Sequence, residues 1–346
     1  MAIALTDSSK TKTRCKTETL GVKVLGTGHG IPLQAVSNAE LDIEGIDPEW
    51  ILQRTGIRSR YHAPASQATS DLALEAAVNC LKAAGQTASD VDLILVATMT
   101  PDHFTPSTAC IVQAKLGAVC GAIDLNAACS GFMYSLTAGA QFVRNGCYRR
   151  VLVIGADKMS MVVDPRDPKT FPLFGDGAAA VLLGPDDRDE ATASGILAFR
   201  LGSVGELGHT LIIPACGSRQ PASHSALDAR DQFLKMEGRS VFKWAVRLVP
   251  EIVNNLLADA QLSIDDIDLF VFHQANRRIL EAATEAIGVS SERVFCNVDR
   301  FGNTSAGSIP ICLHEALTTG RIKPGSNVLI AGFGSGLTWG GCIYRW

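Results

Sequence analysis

The chain is short of charge and of aromatic residues. Of its 346 residues, 19% are Asp, Glu, Lys or Arg and 6% are Phe, Trp or Tyr. It also lacks any run near the roughly 18 apolar residues of a membrane span; stretches such as Leu93 to Ala97 are strand-length. Its ten cysteines (15, 80, 110, 120, 129, 147, 216, 296, 312 and 342) include no pair at the two-residue separation of a zinc knuckle or a redox dithiol. No metal site is expected. Cys80, Cys110 and Cys342 lie in apolar or helical surroundings, where free thiols pack as small hydrophobes in a reducing cytoplasm. The first eighteen residues lack the apolar stretch of a secretory signal and are expected, with residue 19, to form a mobile tail; an organellar address is the alternative. A net charge of −4 gives no global attraction for nucleic acid or for a membrane, so an anionic partner must meet a local basic patch.

What is present is apolar and repetitive. With 47% hydrophobic residues and a charged fraction below the usual ~25%, a large core or a buried oligomer face is expected. Asp90-Val-Asp-Leu-Ile-Leu-Val96 is answered 176 residues later by Asp266-Ile-Asp-Leu-Phe-Val-Phe272. Val151-Leu-Val-Ile-Gly155 is answered at 177 by Val328-Leu-Ile-Ala-Gly332, and Cys129-Ser-Gly131 at 176 by Ser305-Ala-Gly307. Apolar strands separated by helical patterns predict an α/β protein with mostly parallel sheets covered on both faces. Two related halves are expected over residues 20–190 and 191–346.

In such folds ligands meet the carboxyl ends of strands and the amino ends of helices. Cys129 follows the expected strand Gly121 to Leu125 and opens a helix running toward Arg144, where free N–H groups would lower a thiol pKa. His273 follows the strand Leu269 to Phe272. Asn303 precedes the helix related by the repeat to the one that Cys129 opens. Each alone fits a packed thiol, a loop histidine or a turn asparagine; together they fall at corresponding junctions of the repeat and point to a nucleophile with two polar partners.

Ala127-Ala-Cys-Ser-Gly-Phe132, His273-Gln-Ala-Asn276, Gly302-Asn-Thr-Ser-Ala-Gly307 and Gly332-Phe-Gly-Ser-Gly-Leu-Thr-Trp-Gly340 resemble the signatures of β-ketoacyl-acyl carrier protein synthase III, in the thiolase superfamily. Trp50-Ile-Leu-Gln-Arg-Thr-Gly-Ile-Arg58 and Phe174-Gly-Asp-Gly-Ala178 extend the likeness over residues 20–346. The resemblance implies a five-layer αβαβα fold of two duplicated halves, a homodimer, and no cofactor beyond the CoA thioester substrate. It implies condensation of an acyl-CoA primer, typically acetyl-CoA, with malonyl-acyl carrier protein, through an acyl-cysteine. Cys129 would be the nucleophile, His273 and Asn303 the donors to an enolate oxygen, and the backbone N–H groups of Cys129 and Ser335 the oxyanion hole.

By the same resemblance Trp50 and Arg54 hold the CoA nucleotide, while Gly238, Phe242, Ala275 and Asn276 line the pantetheine tunnel. Phe104 would cross a dimer interface into the partner's acyl pocket. The residues alone leave Trp50 as a packed helix side chain and Phe104 as a core phenylalanine. Arg239, Lys243 and Arg247 recur at steps of four on an expected helix, Arg239 to Ala258, and Arg277 and Arg278 follow the histidine motif. They form a candidate docking surface for an acidic carrier protein, or a merely solvated face. Three positions depart from the family: Pro168 stands where a second adenine-stacking arginine is common, with Arg166 or Lys169 as substitutes; Ser335 replaces a glycine; Glu285 and Ala286 replace a basic pair. A specialised condensing enzyme of secondary metabolism and a cysteine thioester hydrolase are the alternative functions.

Overall fold

The computed structural model describes residues 19–41, 43, 45–189 and 192–346. The tail expected over 1–19 therefore lies outside the described residues, except that Thr19 pairs in a strand.

Two sheets repeat one topology. In the first, the strand order is β2 (Val22–Gly30), β8 (Gly177–Pro185), β7 (Val151–Asp157), β5 (Leu93–Ala97) and β6 (Gly121–Leu125). In the second, it is β1 (Thr19–Leu20), β9 (Gly195–Ser203), β15 (Thr338–Arg345), β14 (Asn327–Gly334), β12 (Leu269–Phe272) and β13 (Val294–Phe295). Leu93 faces Val151 in one and Leu269 faces Val328 in the other, so the two registers correspond. The prediction of mostly parallel sheets needs correction. β2–β8–β7 and β9–β15–β14 are antiparallel, and only β7–β5–β6 and β14–β12–β13 are parallel. From β14 to β15 the chain turns through Ser335–Leu337, far too short for the crossover that a parallel return demands. β1 comes from the chain's beginning yet pairs with β9, so the boundary near residue 20 is crossed by a strand.

Helices complete the layers. α4 (Gly131–Arg144) and α9 (Ser308–Thr318) lie between the sheets, with Phe132, Met133, Leu136, Ile309 and Leu313 packed against Val153 and Val181 on one side and Val271 and Ile330 on the other. Each such fully buried large side chain contributes roughly 1.5–3 kcal/mol. α2 (Thr69–Ala84) and α3 (Thr108–Leu116) cover the first sheet outside; α6 (Gly238–Ala260) and α7 (Arg277–Ile287) cover the second. α2 lies so close to β2 that a Cβ at Gly28 would come within 2.2 Å of the Cys80 amide nitrogen. Short elements complete the fold: the ribbons β3 (Ala35–Ser37) with β4 (Ser59–Tyr61) and β10 (Leu211–Ile212) with β11 (Lys235–Met236), and helices α1 (Pro48–Thr55), α5 (His224–Asp228) and α8 (Val298–Phe301). This is the five-layer thiolase-like αβαβα fold. Among the described residues no helix is long and apolar enough to cross a membrane.

Candidate active site

Two elbows meet between the sheets. In the first, Ala128–Ser130 forms a tight turn before α4, with Ala128 at φ 48°; in the second, Ser305–Gly307 does so before α9, with Ser305 at φ 50°. Asn126 Oδ1 accepts the Ala128 N–H at 3.1 Å and Asn303 Oδ1 accepts the Ser305 N–H at 2.9 Å. The backbone offset is therefore 177, which makes Ala306 the counterpart of Cys129. The pairing of Cys129 with Ser305 at 176 is off by one residue, because similar triplets were matched where backbone turns decide the equivalence.

Cys129, His273 and Asn303 line one narrow cavity of about 140 Å³. Asn303 is held by its backbone, its N–H donating to Leu173 O at 2.8 Å and its carbonyl accepting from Gly175 N at 3.1 Å. With Oδ1 engaged by Ser305, its Nδ2 donors remain for the cavity. His273 extends β12, its N–H donating to Ala331 O at 2.9 Å. Its Nδ1 lies 2.6 Å from Ser308 Oγ and its ring stands edge-on to Phe333 at 5.4 Å. A Ser308 hydroxyl donating to Nδ1 would leave the ring proton on Nε2. Burial lowers the His273 pKa to about 3, so the imidazole is neutral at physiological pH.

The expected lowering of the Cys129 pKa is not found. Burial pushes the thiol up to about 12, against a lowering contribution from Ser305 and reinforced by the Asp157 carboxylate. Desolvation of a thiolate between two sheets outweighs the helix end, which acts only over the first turn.

Gly238, Phe242, Ala275 and Asn276 line the same cavity. Asn276 also caps α7, its Oδ1 accepting the Ile279 N–H at 3.0 Å, which leaves Nδ2 to donate. Leu173, Met236 and Gly238 are shared with an outer cleft of about 760 Å³ that Trp50, Arg54, Lys169, Arg239 and Arg278 face. α1 buries Ile51 and Thr55 and leaves Trp50 outside, 39% exposed, with the Arg54 guanidinium 5.6 Å from its ring. Of the two proposed substitutes for the missing arginine, Lys169 faces the cleft beside Pro168. Lys243 and Arg247 are exposed farther along α6. Arg277 is separated from this group: it packs over Gly56, approaches Glu281 at 3.8 Å and lines another groove with Leu280 and Glu285. A side chain one position from Arg278 on a helix points about 100° away. Phe104 is 90% exposed, which excludes a core role.

Ser335 has an ordinary φ, the left-handed angles falling on Gly336 (73°) and Leu337 (47°), so its replacement of a glycine costs no backbone strain. Sequence reasoning missed its neighbours. A Cβ at Gly334 would stand 2.7 Å from the Cys129 nitrogen, and Thr338 Oγ1 lies 2.9 Å from both the Ala127 and Ser335 carbonyls, tying the two loops together. Asp157 and Ser308 were also missed; only the proximity of Ser308 to the Gly302–Gly307 motif hinted at it.

Two models of the 3-oxoacyl-[acyl-carrier-protein] synthase III family match the chain, over residues 123–205 and, for its C-terminal part, 257–346. A β-ketoacyl-[acyl-carrier-protein] synthase III of Rhodopirellula baltica is 51% identical over 94% of this chain and 99% of its own length. One of Clostridioides difficile is 45% identical over 93% and 98%. The crystal structure of the Aquifex aeolicus VF5 3-oxoacyl-[acyl-carrier-protein] synthase III superposes with a TM-score of 0.85, at 39% identity over 94% of this chain and all of that one. A cysteine, a neutral histidine and an asparagine brought to one cavity by a duplicated fold agree with this likeness, and the chain belongs to the β-ketoacyl-acyl carrier protein synthase III family of condensing acyltransferases.

Proposed function

We propose that this enzyme condenses an acyl-CoA primer, typically acetyl-CoA, with malonyl-acyl carrier protein, releasing CoA and CO₂ and starting a fatty-acid chain. The observation that carries this reading is the convergence of Cys129, His273 and Asn303 on a narrow cavity sharing residues with the cleft of Trp50 and Arg54. Cys129 Sγ attacks the thioester carbonyl, the C–S bond to CoA breaks, and the thiol proton leaves with CoA. Malonyl thioester then loses CO₂, and the electron pair left behind is held as an enolate by His273 Nε2–H and Asn303 Nδ2–H. The enolate carbon attacks the acyl-cysteine, the tetrahedral oxygen rests on the N–H groups of Cys129 and Ser335, and collapse expels the Cys129 thiolate. The chemistry calls for no resident cofactor.

Trp50, Arg54 and Lys169 would hold the nucleotide of CoA, and Asn276 Nδ2 would donate to a pantetheine carbonyl. Arg239, Lys243, Arg247 and Arg278 would dock the acidic carrier protein, with Arg277 outside the group. The uncovered edge of β6, with exposed Phe104, Val119 and Ile123 nearby in sequence, supports a homodimer in which Phe104 closes the partner's acyl pocket. Free cysteines, Cys110 and Cys147 exposed among them, support a cytoplasmic location. The correspondence of the two sheets supports halves divided near residue 190. Incubation with acetyl-CoA should add one acetyl mass at Cys129, abolished in Cys129→Ser; an adduct at Cys110 or Cys120 instead would refute the assignment.

A further inference from the structure

Acylation needs a Cys129 thiolate, and its surroundings oppose that charge. Asp157, from the end of β7, and His273, from the end of β12, are the titratable groups facing it: one is an acid that repels a thiolate, the other a neutral imidazole bonded through Nδ1 to Ser308. The apex of the second elbow supplies what is missing. Ser305 is fully buried, and its hydroxyl lies beside both the Cys129 thiol and the Asp157 carboxylate without completing a hydrogen bond to either. Asp157 is held mainly by other donors. Its Oδ1 already accepts from Thr98 Oγ1, Met99 N, Thr100 N and Thr100 Oγ1, and its Oδ2 from Ala306 N, all within 3.1 Å. A carboxylate offers about two lone-pair sites per oxygen, so Oδ1 is fully engaged and only the second site of Oδ2 is left for the Ser305 hydrogen, which completes no bond there. A buried hydroxyl without a partner is disfavoured unless some state of the reaction uses it.

We propose that Ser305 is the hydrogen-bond donor to the Cys129 thiolate during acyl transfer. As the S–H proton leaves, the Ser305 O–H rotates onto Sγ; as the Sγ–acyl bond forms and the bond to CoA sulfur breaks, that hydrogen bond is released. Ser305 keeps its own proton throughout, and the proton lost by Cys129 ends on the CoA sulfur. The Ser305 backbone separately orients Asn303, so a variant must remove the hydroxyl and spare the N–H.

This inference rests on Cys129 as the nucleophile, and the experiment separates the two. Ser305→Ala and Ser305→Gly are compared with wild type in the rate of acetyl transfer from acetyl-CoA to Cys129 by peptide mass mapping. The pH midpoint of Cys129 alkylation by iodoacetamide and the malonyl-thioester decarboxylation of fully pre-acetylated enzyme are measured alongside. Loss of a hydrogen bond to a charged group predicts acetyl transfer slower by about 10- to 100-fold in both variants. The alkylation midpoint should rise and decarboxylation should be unchanged. Glycine is the control for the backbone, since φ 50° suits it better than serine. If glycine restored wild-type rates while alanine did not, the role would be conformational and the proposal overturned. Equal transfer rates and equal midpoints in all three proteins would overturn it too, whereas a wild type that gains no acetyl on Cys129 would refute the parent reading.

Discussion

Gly334→Ala tests the geometry around the nucleophile most directly. Gly334 has φ −164° and ψ −168°, extended backbone that alanine adopts freely, so the substitution carries no conformational penalty of its own. The added methyl would meet the Cys129 nitrogen at 2.7 Å and its Cβ at 3.1 Å, where ordinary contacts begin at 3.4 Å. About 0.7 Å of movement is thus demanded of the N–H proposed to hold the tetrahedral oxygen. Removing an oxyanion donor costs about 10²- to 10³-fold, and a misplacement near 1 Å about 10²-fold. Acetyl transfer from acetyl-CoA should therefore fall about 100-fold, with overpacking costing roughly 1–3 kcal/mol of stability. Gly336→Ala is the matched control. Its φ of 73° penalises alanine by roughly 1 kcal/mol, but the nearest atom is Thr338 Cγ2 at 3.4 Å, so it should lose stability and keep most of its acetyl transfer. The assay is acetylation timed by intact-protein mass, with thermal unfolding of both variants. A folded Gly334→Ala enzyme acetylating within threefold of wild type would refute the assignment of the Cys129 N–H as an oxyanion donor.

Three further outcomes are expected. His273→Ala and Asn303→Ala should each still acetylate Cys129 while losing malonyl decarboxylation by about 10²-fold or more; the reverse pattern, seen by separate assay of the half-reactions, would exchange the roles. Burial that depresses the His273 pKa to about 3 makes folding acid-labile. Above about 6.5 both states hold neutral imidazole, and between 6.5 and 3 only the unfolded chain binds the proton, so His273 should remove roughly 1.4 kcal/mol per pH unit on acidification. Urea unfolding at pH 7 and 5 should show about 2 kcal/mol less pH dependence in His273→Gln. Lys243→Glu with Arg247→Glu should raise the KM for malonyl-acyl carrier protein and weaken its salt dependence without slowing acetylation by acetyl-CoA, whereas Arg278→Glu, in the CoA cleft, should affect both substrates.

The sequence by itself determined the strands β5, β6 and β12 to the residue: β5 and β12 are short apolar runs closed by polar segments, and β6 is the short stretch between Gly121 and the helix that Cys129 opens. It determined the duplication, since buried strands in a repeated fold keep the same apolar pattern. It placed Cys129 and His273 at strand-to-helix junctions, where side chains meet a ligand whatever the packing behind them; Asn303 instead follows the short helix α8 and enters the turn that opens α9. Only tertiary structure decided the sense of β8 and β15, which depends on the path of the returning chain and not on composition. The single-residue shift in the repeat was hidden for a similar reason: Ser305 and Cys129 sit in look-alike triplets, and only the asparagine-capped turns show that Ala306 is the counterpart of Cys129. The pKa direction of Cys129 was out of reach because a helix end is local and legible, while burial between two sheets depends on residues far away in sequence. Gly334, Ser308 and Asp157 act by touching groups 35 to 205 positions distant, and contacts of that range exist only once the layers have closed.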